Sequence, residues 1–229
     1  YFFNSFAIAI PAAIFPLVIA CMAAYAIAWI PFRGSTFVFF TIFALQVIPL
    51  QMSLLPLLTM FNKGWSLGPI PIFPDLNKPG TEQSIFIGTY IPLWIAHTMF
   101  ALPLAIFLLH NFIAQLPREL FEAARVDGAS HFLIFRKLVL PLTVPAIASF
   151  AIFQFLWVWN DLLVALTFAG GTPDVAPITA YLANIKGSYG AQIHLITAGA
   201  FVAIVVPLVV FFSLQRFFVR GLLAGSVKG

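Results

Sequence analysis

Charge is what this sequence has least of. Eleven Lys and Arg with seven Asp and Glu make 8% of 229 residues, against about 25% in an average soluble domain. With 62% hydrophobic residues and a mean hydropathy of +1.05, that scarcity excludes an ordinary soluble fold and points to the bilayer. Cysteine is almost absent, and the lone Cys21 lies in an apolar run; it has no internal disulfide partner and says nothing about compartment. No Gly-x-x-x-x-Gly-Lys-Ser/Thr run occurs, so the chain has no visible means of binding ATP. His97, His110, His131 and His194 are scattered, without metal-ligand spacing. The acids lie too far from any histidine or serine for a triad. These gaps argue against an enzyme. The net charge of +4 sits at loop ends, where membrane topology explains it better than nucleic acid does.

What is present is lipid-soluble sequence cut by sparse charges. Five apolar runs, about 5–30, 36–61, 85–109, 142–166 and 193–214, each supply the ~20 residues a spanning helix needs. Prolines 11, 16, 49, 56, 92, 103, 145 and 207 fall in or near them, a frequency tolerated where neighbouring helices satisfy freed carbonyls. Small residues such as Ala23, Ala24, Ala146, Ala148, Ser149, Gly199 and Ala200 allow close helix approach. Arg33, Arg118, Arg125, Arg136, Lys137, Arg216, Arg220 and Lys228 fall on one side, against Lys63, Lys78 and Lys186 on the other. The positive-inside rule puts the first set in the cytoplasm. The expected fold is an all-α polytopic membrane protein with five visible spans, forming a single domain over residues 1–229. Five spans leave Tyr1 outside, and it is not Met; a natural first span is therefore expected to be absent from this chain.

Seven of the charges gather at 117–141. Pro117 suits a first helical position. Glu119 and Glu122 then precede Arg125, the favourable order in a helix dipole. Asp127-Gly128 reads as a stop, because glycine accepts left-handed backbone. Ser130 reads as the cap of a second short helix from His131 toward Leu140, with Phe132 and Phe135 on one face. Pro141 predicts a break or kink. Such a knob suits a groove in another protein, or it is a solvated loop with Glu122 and Arg125 paired weakly in water.

Glu122-Ala123-Ala124, Asp127-Gly128-Ala129, Phe135, Leu140-Pro141 and Pro145 resemble the cytoplasmic loop motif of permease subunits of binding-protein-dependent ABC importers. The resemblance implies a coupling helix that docks into a cleft of an ATPase subunit. Glu119, Phe121, Glu122, Ala123, Ala124, Asp127, Gly128, Ala129 and Phe132 would form the docking segment: Glu122 as polar anchor, Gly128 as bend, Phe121 and Phe132 as apolar contacts. The tail 216–229 is similar to that of maltose-type permeases, so Ser226, Val227, Lys228 and Gly229 are expected to enter the ATPase dimer. A six-helix fold is implied, with a second permease subunit, two ATPase subunits holding ATP and Mg, and an extracytoplasmic solute-binding protein.

Polar residues within the runs are costly in hydrocarbon and face a cavity or another helix. Asp161 is the clearest, and Gln154, Trp157 and Asn160 lie broadly on one helical face before it. Amides and indoles suit a sugar path; alternatively Asn160 and Asp161 bond a neighbouring helix end. Gln46, Gln51 and His97 are weaker lining candidates. The Trp-Asn-acid run resembles the sugar-importing branch. The outer stretch 62–84 carries turn chemistry at Trp65-Ser66-Leu67-Gly68-Pro69 and Lys78-Pro79-Gly80. The outer stretch 168–192, which opens with Gly170-Gly171-Thr172-Pro173, holds an apolar patch at 178–185, either a helix on the membrane surface or a docking element for the sugar-delivering partner. The function expected is import of a di- or oligosaccharide by alternating access across a bacterial cytoplasmic membrane. A non-sugar ABC permease is the alternative, and an ion-coupled carrier or a scaffold comes behind it.

Overall fold

The computed structural model describes residues 1–63, 65–67, 70–73, 90–169, 174–186 and 193–226. The turns at Gly68-Pro69, Lys78-Pro79-Gly80 and Gly170-Gly171-Thr172-Pro173, the start of the third apolar run, and the tail residues Val227, Lys228 and Gly229 lie outside them. The described chain is helical, with α1 (Phe2–Trp29), α2 (Ser35–Ala44), a 3₁₀ turn (Leu45–Val47) and α3 (Leu50–Lys63) in its first part. A small hairpin follows, β1 (Trp65–Leu67) antiparallel to β2 (Ile70–Phe73). Then come α4 (Ile91–Ile113), α5 (Arg118–Val126), α6 (His131–Ile134), a π turn (Phe135–Val139), α7 (Leu140–Asn160), α8 (Leu163–Phe168), α9 (Ile178–Lys186) and α10 (Ile193–Ser226).

Among the described residues, four helical stretches are long and apolar enough to cross a bilayer: Phe2–Trp29, Ile91–Ile113, His131–Asn160 and Ile193–Ser213. The pair α2 and α3, bent by 99° at the break between them, makes a fifth when counted as one broken span and is otherwise a re-entrant loop. The apolar run 36–61 is therefore not one helix. Pro49 forces Ile48 out of helical backbone, so α3 starts only at Leu50.

Pro141 has the opposite outcome. No break occurs there: α6, the π turn and α7 run on as one span from His131 to Asn160. A proline lacks the N–H for an α-helical bond and crowds the carbonyl four residues back. That carbonyl belongs to Lys137, inside the π turn, and the wider turn accommodates the ring. The second half of the knob is thus the beginning of a span rather than a separate stub.

Two compact units can be distinguished. The first comprises Tyr1–Ala13, Ile48–Phe100 and Phe155–Val210; the second comprises Ile14–Val47, Ala101–Gln154 and Phe211–Gly229. Trp159 lies at the heart of the first core, fully buried, its ring edge-on to Phe2 and Phe6 and stacked on Phe155. Its Nε1 donates to the Ala203 carbonyl at 3.0 Å, and Trp94 Nε1 donates likewise to Ala7 at 2.9 Å. Buried indoles need such acceptors. Gly199 brings α10 against α9 so closely that a Cβ would stand 2.5 Å from Leu182 Cδ2.

Helix α9 is not a surface patch. Ile178, Ala180 and Ile185 are buried, and Tyr181 stacks on Tyr1 at 4.4 Å. Its approach is fastened by Asn4, whose Nδ2 donates to the carbonyls of Asp174 and Ala176 while its Oδ1 accepts from Tyr90. Ser5 Oγ accepts the Ile178 amide at 2.9 Å.

In the second unit, Phe43 stacks on Phe107 at 4.4 Å and Phe39 packs on His110 at 4.2 Å, which joins α2 to α4. The turn into α2 uses Gly34 at φ +89°.

Candidate functional site

The knob is built by local rules. Pro117 (ψ 132°) is the capping residue before α5 rather than its first helical residue. Glu119 sits in the first turn and Arg125 in the last, complementing the helix dipole. Helix α5 ends in a Schellman arrangement: Gly128 N–H donates to the Arg125 carbonyl at 3.0 Å and Ala129 N–H to Ala124 at 2.9 Å. Gly128 holds φ +77°, which only glycine adopts freely. Ser130 caps α6, its Oγ accepting the Leu133 amide at 3.4 Å.

The knob presents two faces. Glu119, Glu122, Ala123, Asp127 and Gly128 are exposed, and Ala124 and Ala129 half-buried. Val126 is 87% exposed and Phe132 71%, with Leu120 and Leu133 exposed beside them. Phe121, expected as an outward apolar contact, turns inward and is 1% exposed. Its ring stacks on Trp29 with centroids 3.5 Å apart and planes 11° from parallel. No ion pair joins Glu122 to Arg118 or Arg125 among the described residues. The three side chains instead help to line a cavity of about 400 Å³ beside Trp29, Pro31 and Ser35. Val126 and Trp29 carry no motif, and only exposure and stacking reveal them.

The intramembrane polar residues separate. Asp161 stands where α7 ends and before α8 begins, its carboxylate accepting the amides of Val164 at 3.4 Å and Ala165 at 3.0 Å. Its backbone carbonyl accepts Thr179 Oγ1 at 2.7 Å. It therefore bonds a neighbouring helix end. His97 is buried with Nε2 3.8 Å from Asp161 Oδ2, beyond hydrogen-bond length, and its ring meets Trp157 edge-on at 6.5 Å. Trp157 is half-buried, while Asn160 is exposed and donates to Leu156 of its own helix. Gln154 is fully buried, and Gln46 and Gln51 are exposed. Asp161→Leu should cost about 1–2 kcal/mol, the value of a helix cap, and Asp161→Asn, which keeps an acceptor, much less. Thermal unfolding in detergent would read this as roughly 2–4 °C per kcal/mol.

The sequence pattern of the family described as "Binding-protein-dependent transport system inner membrane component" matches residues 16–223. This chain belongs to that family. The permease is an inner-membrane transport component, not an enzyme. It is 53% identical over 227 residues to the osmoprotective compounds uptake permease protein GgtD of Synechocystis, covering 99% of this chain and 70% of that one. It is 52% identical over 228 residues to the alpha-glucoside transport system permease protein AglG of Rhizobium meliloti. That match covers 100% of this chain and 56% of AglG, so the chain spans little more than half of that relative. The permease fold is similar to a chain of the bacterial alginate ABC transporter solved with an alginate-bound periplasmic protein. There the TM-score is 0.71 at 16% identity, over 96% of this chain and 77% of that one.

Proposed function

We propose that this permease carries a di- or oligosaccharide into the cytoplasm by alternating access, as one of two permease subunits driven by two ATPase subunits and fed by a solute-binding protein. ATP and Mg belong to the ATPases in this reading. The observation that carries it is the outward face of the knob: Glu119, Ala123, Val126, Asp127 and Phe132 are exposed on a segment whose Phe121 is buried against Trp29. An exposed apolar pair rimmed by acids suits a groove on another protein. The names of relatives support a carbohydrate, since alpha-glucoside, trehalose and melibiose/raffinose/stachyose permeases are among them. Trp157, Asn160, Gln46 and Gln51 remain the candidates for a sugar path, whereas Asp161 and the buried His97 and Gln154 are better placed to support it. Ser226 and the residues after it would reach the ATPases.

The uptake of osmoprotective compounds by GgtD favours a second reading, in which the cargo is a small compatible solute. Proteoliposomes holding the whole complex decide between them. Uptake of labelled trehalose or maltose should require internal ATP and external binding protein; uptake of glycine betaine alone would reject the sugar. The orientation has its own check. A Val126→Cys chain should react with a membrane-impermeant maleimide in inside-out vesicles and not in right-side-out ones, and the reverse result would place the knob on the wrong side.

A further inference from the structure

Covalently, the knob belongs to the two spans that flank it. Helix α4 leads into it through residues 114–117, and α6 leaves it directly for the membrane. Helix α1 ends 89 positions before Arg118, yet its last turns grip both halves. Trp29 stacks on Phe121 and offers its backbone carbonyl to Arg125 Nη2 at 3.5 Å. Its indole Nε1 is bound to the Ile113 carbonyl at 3.0 Å, which ties the same ring to the end of α4. One turn earlier, Tyr25 hydroxyl and His131 Nδ1 are hydrogen-bonded at 3.0 Å, and the Tyr25 ring packs on Phe135 at 5.5 Å. Residues four apart share a helix face, so one face of α1 holds α5 through Trp29 and α6 through Tyr25.

A tryptophan at the end of an apolar helix usually lies in the headgroup belt with its N–H toward water. Trp29 departs from that habit: its N–H is spent on a main-chain carbonyl and its ring face on a phenylalanine that is 1% exposed. Tyr25 is likewise buried although its hydroxyl is polar. Two amphipathic aromatics that could face the interface are instead packed under the one polar segment of the chain. A packed joint between rigid helices passes displacement on rather than absorbing it.

We propose that Tyr25 and Trp29 are positioning residues for energy coupling: they clasp the knob to α1, so that a displacement of the knob enters the membrane through α1 as well as through its two flanking spans. The inference rests on the coupling role proposed above for the knob. Each residue acts by fixing where Phe121, Arg125 and His131 sit.

The test uses the assembled complex, with coupling read as the ratio of ATP hydrolysis stimulated by its own purified binding protein to basal hydrolysis. Trp29→Leu, which keeps apolar volume and loses the stack, should lower that ratio by roughly fivefold or more, the low end of ordinary coupling factors. ATPase subunits should still copurify. Trp29→Phe, which keeps a stacked ring, should restore most of the ratio, and Tyr25→Phe should fall between. A wild-type ratio in Trp29→Leu would overturn the proposal, as would equal losses in Trp29→Leu and Trp29→Phe. Where Trp29→Leu does not assemble, a Trp29→Cys, Phe121→Cys pair in a Cys21→Ser background decides. Bridging the pair with a short bis-thiosulfonate should raise the ratio; a bridge that leaves it low or lowers it further counts against the clasp. Val126→Glu in the same assay separates the two layers: an unchanged ratio there overturns the docking role of the knob itself, whatever Trp29 does.

Discussion

A Gly128→Val chain is expected to insert into the membrane in normal amounts and to transport at roughly a tenth of the wild-type rate or less, the kinetic equivalent of about 1.4 kcal/mol. Gly128 stands at φ +77°, a backbone region that costs an L-residue about 1–2 kcal/mol, and more for a β-branched one. Nothing lies within 4 Å of where its Cβ would be, so the effect is conformational and not a clash. The strain is relieved by undoing the Schellman stop, because the bonds from Gly128 to Arg125 and from Ala129 to Ala124 depend on that dihedral. Without them the angle between α5 and α6 is no longer fixed, and Val126 and Phe132 lose their common presentation. Membrane amount is read by immunoblot and uptake by labelled sugar in the same vesicles. Wild-type uptake in Gly128→Val, or in the bulkier Gly128→Trp, would show that the bend plays no part in coupling.

Val126→Glu should have the second largest effect and the least effect on the fold. At 87% exposure this side chain has almost nothing to lose inside the permease, and surface substitutions of that kind change stability by about 0.5 kcal/mol or less. In a docked complex the same position would hold a carboxylate that must be desolvated or repelled, at a cost of roughly 2–5 kcal/mol. Copurification of the ATPase subunits should therefore fall at least roughly tenfold with thermal unfolding of the permease unchanged. Phe132→Ala, which removes area and adds no charge, should give a smaller loss. Full retention of the ATPases by Val126→Glu would move the docking face elsewhere on the surface.

Several features of the knob are legible in the sequence, and they share a physical character. The stop at Asp127-Gly128 and the cap at Ser130 depend on the preferences of one or two residues and on bonds within a turn. The same holds for spans recognised by transfer free energy, which each residue contributes wherever its neighbours are. Proline was the partial failure. Pro49 breaks a helix, whereas Pro141, flanked by similar apolar residues, is absorbed by a π turn. The proline's own chemistry is identical in both; what differs is whether the preceding turn can widen, and no single residue sets that.

Phe121 shows the limit most clearly. In the sequence it is an aromatic in a polar segment, equally suited to face outward like Phe132 or inward, and its direction is decided by Trp29, 92 positions earlier. Asp161 is similar. Its charge marks it as exceptional, but whether it lines a path or holds the start of α8 depends on α7 ending at Asn160 before α8 begins at Leu163 and on Thr179 meeting its carbonyl. Asn4, which holds the approach to α9 through partners 170 and 172 residues away, leaves no local signature.

Sequence alone determined that this chain lives in a membrane and that the first half of its polar middle is a capped and stopped helical turn, because each of these is a sum of local free energies, but not where every span begins or breaks. Tertiary structure decided which aromatics are spent inside and which remain for a partner. Those outcomes are contacts between residues far apart in the chain, and no residue carries the identity of a distant neighbour in its own chemistry.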